Sequence, residues 1–212
     1  MVGCRVKSFS RFFWKLVSTI LVLVGLIAAF VYSGIYNVAA TAPHSKPVVY
    51  LARNLMIHSA RAHAREIFVP EGINLRDSAL AEEAVEDFEE MCRTCHGAPG
   101  EKADVWMKLH PSPPDLTDAA LEKTWTDTEV YWIIKNGIKD SGMMAAGETH
   151  EDREVWALTA LVRQFLTMSP AQYTAMRDRA KAKAASEGGH HEHEHEHEPS
   201  GAEEHEEPSH KT

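Results

Sequence analysis

The chain has 212 residues, 44% hydrophobic, and a formal net charge of −9, which allows one packed domain plus extensions. Three cysteines are too few for a disulfide framework. Residues 1–40 carry four bases and no acid, 41–186 carry 17 bases and 22 acids, and 187–212 carry nine Glu and one Lys, so no basic face argues for nucleic acid.

The first forty residues read as a membrane anchor. Leu16 to Ile35 is an uncharged apolar run of about 20 residues, the length that crosses a bilayer as a helix. Trp14 at one end and Tyr32 and Tyr36 at the other suit the interfacial aromatic belts. Arg5, Lys7, Arg11 and Lys15 precede the run, which places the N-terminus in the cytoplasm and sends the remainder outward. Small-residue patterns at Val38–Ala40 and Ala40–Ala42 offer cleavage as a rival. The apolar run is longer than a signal peptide's and favours retention. The expected location is a bacterial inner membrane, single-pass, with the C-terminal part in the periplasm. Cys4 precedes the apolar run and reads as an inert cytosolic thiol.

Residues 43–68 have helical periodicity, with Pro47 at the start and Pro70 and Gly72 beyond the end. His58, Arg61, His63 and Arg65 fall here and read as a solvated or headgroup-facing surface; the five-residue gap between the histidines keeps them off one helical face. A second helix is expected from Asp77 to Met91, with Leu80, Ala84, Val85, Phe88 and Met91 as its apolar stripe.

That helix runs into Cys92-Arg93-Thr94-Cys95-His96, the attachment pattern of a covalent c-type haem. Each thiol of such a motif adds to a haem vinyl group, and the adjacent imidazole becomes an axial ligand of the iron. A structural zinc site would require a second ligand pair at comparable spacing, and a redox dithiol a βαβ context. The sequence supplies neither between 43 and 186.

Beyond the motif, Gly97, Pro99, Gly100, Pro111, Pro113 and Pro114 mark a loop. Thr126 or Asp127 caps a helix that ends at Gly137, and a loop at 138–149 holds Met143 and Met144. A strong helix follows from Asp152 to Thr167, then a more polar one from Ser169-Pro170-Ala171-Gln172 to about Ala185. A mid-loop Met pair is poorly explained as core packing, and a thioether would complete the coordination of the iron and raise its potential relative to a second His. Beyond Gly189 the composition of His, Glu, Pro and Ser predicts a disordered tail. Its His190, His191, His193, His195 and His197 alternate with or adjoin Glu and suit Zn, Cu or Ni. No strand pattern occurs, so the predicted class is all-α.

The sequence resembles a membrane-anchored class I c-type cytochrome with one haem. The likeness rests on Cys92–Gly100, on Pro113-Pro114-Asp115-Leu116, on Ile133–Ile138 before the Met loop, and on Ser141-Gly142-Met143-Met144-Ala145. It covers about 77–170, and more loosely Tyr36–Ala40. The resemblance implies the class I cytochrome c fold, haem c held through Cys92 and Cys95, and His96 and Met143 as axial ligands, with Met144 as the alternative. Met144 stands where the family usually has Pro. It further implies that the Pro114 carbonyl accepts the other ring N–H of His96, that Leu116 packs on the haem, and that Phe88 and Trp156 meet where their helices cross.

The organisation expected is a cytoplasmic N-terminus and transmembrane signal-anchor at 1–40, a helical linker at 41–76, a cytochrome c domain at 77–170, and a C-terminal helix with the tail at 171–212. With both axial positions filled there is no place for substrate, so the expected role is electron transfer between redox proteins rather than enzymatic. A membrane oxidoreductase, a terminal oxidase and a periplasmic dehydrogenase all remain open as partners. The alternative is a periplasmic metal-binding protein whose haem is a redox partner for the tail's metal.

Overall fold

The computed structural model describes residues 3–39, 42–104 and 111–187. Among these residues every regular element is helical, apart from one isolated antiparallel bridge between Ala98 and Glu101. The core lies among the helices beyond residue 77, and the N-terminal helix stands outside it.

Helix α1, Gly3–Tyr32, contains an apolar stretch at Phe12–Tyr32 with mean hydropathy 2.3 and no burial against the rest of the protein. At 1.5 Å per residue that stretch is about 30 Å long, enough to span hydrocarbon. Helix α2, Lys46–Ala64, begins with Pro47 in its first turn, where the missing N–H costs nothing. Buried Ala60 and Ala64 let its C-terminal half approach the helix at Asp127–Asn136 closely.

His58, Arg61, His63 and Arg65 are all exposed, as expected. Two of them also have protein partners: the His63 ring stacks on Trp132 at 5.4 Å, and Arg61 lies 5.8 Å from the Trp125 ring and donates to the Thr124 carbonyl at 3.1 Å.

The single helix expected over 77–91 is broken into pieces. Asp77 caps α3, Ser78–Glu83, by accepting from the Ala79 N–H at 2.9 Å. At Ala84 the backbone tightens, its N–H reaching back only to Ala81, and a short α4, Val85–Asp87, follows. Phe88–Cys92 then form a π-helical turn, and α5 is Arg93–His96. Leu80, Ala81, Ala84, Val85 and Phe88 are all buried, a wider face than one stripe, because the helices at Asp152–Gln164 and Pro170–Glu187 both pack against it.

Helix α6, Ala119–Thr124, lies in the segment read as loop; Asp118 caps it by accepting from the Ala120 N–H at 2.8 Å. Helix α7, Asp127–Asn136, has a reciprocal cap: Thr126 Oγ1 accepts from the Glu129 N–H, and Glu129 Oε2 accepts from the Thr126 N–H. Helix α8, Asp152–Gln164, is central. Seven successive residues, Val155 to Leu161, are buried, which is possible only for a helix covered on all sides. The one polar member, Thr159, donates its hydroxyl to the Val155 carbonyl at 2.8 Å.

Helix α9, Pro170–Glu187, is capped by Ser169 and Gln172 and buries Tyr173, Met176 and Ala180 in the same core. Phe88 stacks edge-on with Phe165 at 4.9 Å and Tyr173 at 6.4 Å, while Trp156 lies flat on Tyr131 at 4.0 Å, all within one core.

Candidate functional site

The π-helical turn and α5 deliver Cys92, Cys95 and His96 in five residues, and the following turn fixes them. Gly97 has φ +69°, and a Cβ there would stand 2.6 Å from the Glu101 carbonyl oxygen, so only glycine fits. Ala98 and Glu101 exchange backbone hydrogen bonds at 2.9 and 2.8 Å, and the Asp104 N–H donates to the Thr94 carbonyl at 2.9 Å. Arg93, between the cysteines, pairs with Asp104 at 2.8 Å and lies 3.4 Å from Glu89.

Helix α9 braces this turn from behind. Tyr173 donates to Glu89 at 2.5 Å, Arg177 pairs with Glu101 at 2.7 Å, and Pro170 sits where a Gly100 Cβ would be. The Arg177 guanidinium also lies 5.8 Å from the Tyr173 ring.

Both thiols are free and half-buried. Burial, with Asp87 and Cys95 adding to it, pushes the Cys92 thiol up to about 11. A redox-active dithiol needs a thiol pushed down so that thiolate is present at neutral pH. The environment here does the opposite, which disfavours thiol–disulfide exchange.

The imidazole of His96 is oriented by one bond. Its Nδ1 lies 2.9 Å from the Pro114 carbonyl oxygen. A carbonyl only accepts, so Nδ1 carries the proton and the Nε2 lone pair is the one available to a metal. Pro114 is itself held by the turn that follows. Asp115 Oδ1 accepts from the Thr117 hydroxyl at 2.6 Å and from its N–H at 2.8 Å, and the same two bonds hold the Asp115 carboxyl below the usual carboxylate range. Leu116 is half-buried against the core.

The Met loop is anchored at both ends. Gly137 stops α7 with φ +63°, and a Cβ on it would lie 2.7 Å from the Met143 carbonyl oxygen. The Ile138 N–H donates to that carbonyl at 3.2 Å, and the Met143 N–H donates to Ser141 Oγ at 3.1 Å. After the loop, Ala146 is part of the core. The two methionines differ: Met144 is 70% exposed, whereas Met143 is half-buried.

A covalently held haem can be tested against these residues. Two free thiols on one turn, an imidazole whose proton is committed to a carbonyl, and a half-buried thioether on a backbone-fixed loop are the donor set it requires. The residues fit. Among the described residues no group of three His, Cys, Asp or Glu could hold a separate metal ion. The proposed tail ligands His190, His191, His193, His195 and His197 lie outside the described residues.

The bracing residues Glu89, Glu101, Tyr173 and Arg177 were not singled out from the sequence. Their pairings span 76 to 84 positions, which no local pattern reveals. The only local sign was Tyr173, Met176 and Ala180 recurring at three and four residues along α9.

Residues 79–162 match the family described as cytochrome C oxidase, cbb3-type, subunit III. The match takes in α3 through most of α8, and so includes the attachment turn, the Pro114 segment and the Met loop, while α1, α2 and α9 lie outside it. Neither a curated protein nor a solved structure matches the chain.

Proposed function

We propose that this chain, whose residues 79–162 form a c-type cytochrome domain, is a membrane-anchored single-electron carrier that holds one haem c on the outer face of the membrane. The observation that carries the reading is the 2.9 Å contact of His96 Nδ1 with the Pro114 carbonyl, beside two free thiols. The bound group supplies the one-electron Fe(III)/Fe(II) couple. The roles of the chain's own residues follow from their positions.

Cys92 and Cys95 hold the haem by thioether bonds, and the turn closed at Gly97 keeps their spacing fixed. His96 would present Nε2 to the iron, its orientation fixed by the bond to Pro114. Met143, rather than exposed Met144, would supply the second protein ligand, and Leu116 would cover the haem with an apolar side chain. With His96 and Met143 both committed to the iron, the chain would work as a carrier and not as an enzyme. The brace from α9 would keep these side chains in place and so limit the reorganisation that slows electron transfer.

The apolar Phe12–Tyr32 stretch, with basic residues only on its N-terminal side, supports a single-pass anchor with the domain in the periplasm. Among partners, the description of the matched family favours a terminal oxidase. The alternating His and Glu of 190–197 support a second property, binding of Zn, Cu or Ni by the tail.

The test is a haem assay on chain purified from bacterial membranes. One covalently attached haem per chain, lost in Cys92→Ala with Cys95→Ala, is expected. A chain that matures with no covalent haem would overturn the reading.

A further inference from the structure

Residues 1–65 hold eight Lys or Arg and no Asp or Glu, whereas 66–212 hold 14 against 31. Beyond α1, the described part of this acid-free segment is mainly α2. The buried residues of α2, Ala60 and Ala64, lie in its C-terminal half beside α7, whereas no residue of its N-terminal half is buried among the described residues. Tyr50, Leu51 and Leu55 are 68%, 66% and 73% exposed, although side chains of this kind are buried throughout the core. Leu51, Leu55, His58 and Ala62 are all exposed and follow one another at four, three and four residues. That spacing sets them in one row, on the side of α2 opposite buried Ala60 and Ala64.

The helix is also held near the anchor. In the connection 33–45, Tyr36 Oη lies 2.9 Å from His44 Nδ1 and the two rings stack, so the chain folds back on itself just before α2 begins. Exposed Arg65, just past the end of α2, falls beside this row, whereas Lys46 and Arg53 fall on the opposite side. An exposed apolar row with a base at its end, close to a spanning helix, has the chemistry of a helix lying in the headgroup layer. The acidic remainder of the domain is repelled by an anionic surface, and α2 has the opposite sign.

We propose that α2 lies on the bilayer that α1 spans, with the Leu51–Leu55–Ala62 row in the headgroup layer and Arg65 beside it on anionic phospholipid. This rests on the anchor reading of α1. It gives the domain a second membrane contact, which holds it at a fixed height and orientation rather than on a free tether.

The test is hydrogen exchange on the haem-loaded full chain in detergent, in phosphatidylcholine nanodiscs, and in nanodiscs containing phosphatidylglycerol. Exchange over 48–62 is expected to be slowest with phosphatidylglycerol. The protection should be lost in Leu51→Glu with Leu55→Glu, and reduced in Arg65→Gln but not in Arg53→Gln, while residues 155–161 exchange as before. Equal exchange over 48–62 in detergent and in both nanodiscs would overturn the proposal while leaving the anchor standing. Protection that appears only in native membranes, and not on lipid alone, would overturn it in favour of an acidic protein partner. Release of the chain from bilayers by alkaline carbonate would overturn the anchor, and this proposal with it.

Discussion

The phenol of Tyr173 donates a 2.5 Å hydrogen bond to Glu89, joining α9 to the π-helical turn that leads into Cys92. The match to the cytochrome family ends at residue 162, so the helix that braces the attachment turn lies outside the matched segment. Tyr173 is fully buried in the core while its hydroxyl reaches a carboxylate, and this combination gives a prediction with a defined pH window.

Burial, then the bond to Glu89, holds the Tyr173 phenol well above its usual 10.0. A group raised in the folded state contributes stability that is complete below its unfolded value and is lost as pH rises toward the folded one. The wild-type unfolding free energy should therefore decline above about pH 10. In Tyr173→Phe that decline should be shallower, and stability at pH 7 should fall by about 1.5 kcal/mol through loss of a bond to a charged acceptor. Denaturant unfolding at a series of pH values measures both.

Gly137 is predicted to be the position on which the Met loop most depends. Alanine there incurs about 1–2 kcal/mol for its left-handed backbone, and its Cβ would also press on the Met143 carbonyl. Gly137→Ala should lower the thermal midpoint and weaken the thioether charge-transfer band in the far red, while covalent haem content is unchanged. An absorption spectrum recorded beside the melting curve is sufficient.

Asp115 acts on His96 through Pro114. Its carboxyl accepts both bonds from Thr117 and lies below the usual carboxylate range. A lowered group contributes stability above its unfolded value and loses it as pH falls through the folded one. Asp115→Ala should loosen the Pro114 carbonyl, weaken its hold on the His96 ring, and raise the midpoint potential. The wild-type potential should move the same way only below about pH 4. Redox titration of both proteins from pH 3 to pH 7 reads both effects.

Trp156 lies flat on Tyr131 in the centre of the core, only 2% exposed. Trp156→Ala should destabilise the domain by about 3–5 kcal/mol, a large share of the stability of a domain this size. Proteolytic sensitivity of the apo chain would reveal it.

Much of this arrangement is legible in local sequence. Thr126 with Glu129, Ser169 with Gln172, and Gly137 after Asn136 mark helix ends that the structure places there, because capping is decided within four residues. The attachment motif and the apolar run of α1 are equally local. Other features depend on distant chain. The helix over 77–91 is broken because α8 and α9 cover it from two sides, and the partners of Phe88 come from positions 165 and 173. Arg61 and His63 are exposed as their sequence context suggests, but their ring partners Trp125 and Trp132 lie more than sixty residues on and are not legible locally. Helix α6 had a readable cap in Asp118, but six residues in a proline-rich stretch carry too little periodicity to stand out.

The choice between two adjacent methionines bears most directly on the account. Met143 is half-buried and its backbone is fixed by Ile138 and Ser141, whereas Met144 is 70% exposed. Spectra of the oxidised protein should show the far-red thioether band lost in Met143→Ala, with the midpoint potential lowered, and retained in Met144→Ala. A band that survives Met143→Ala would contradict the ligand assignment on which the carrier reading depends.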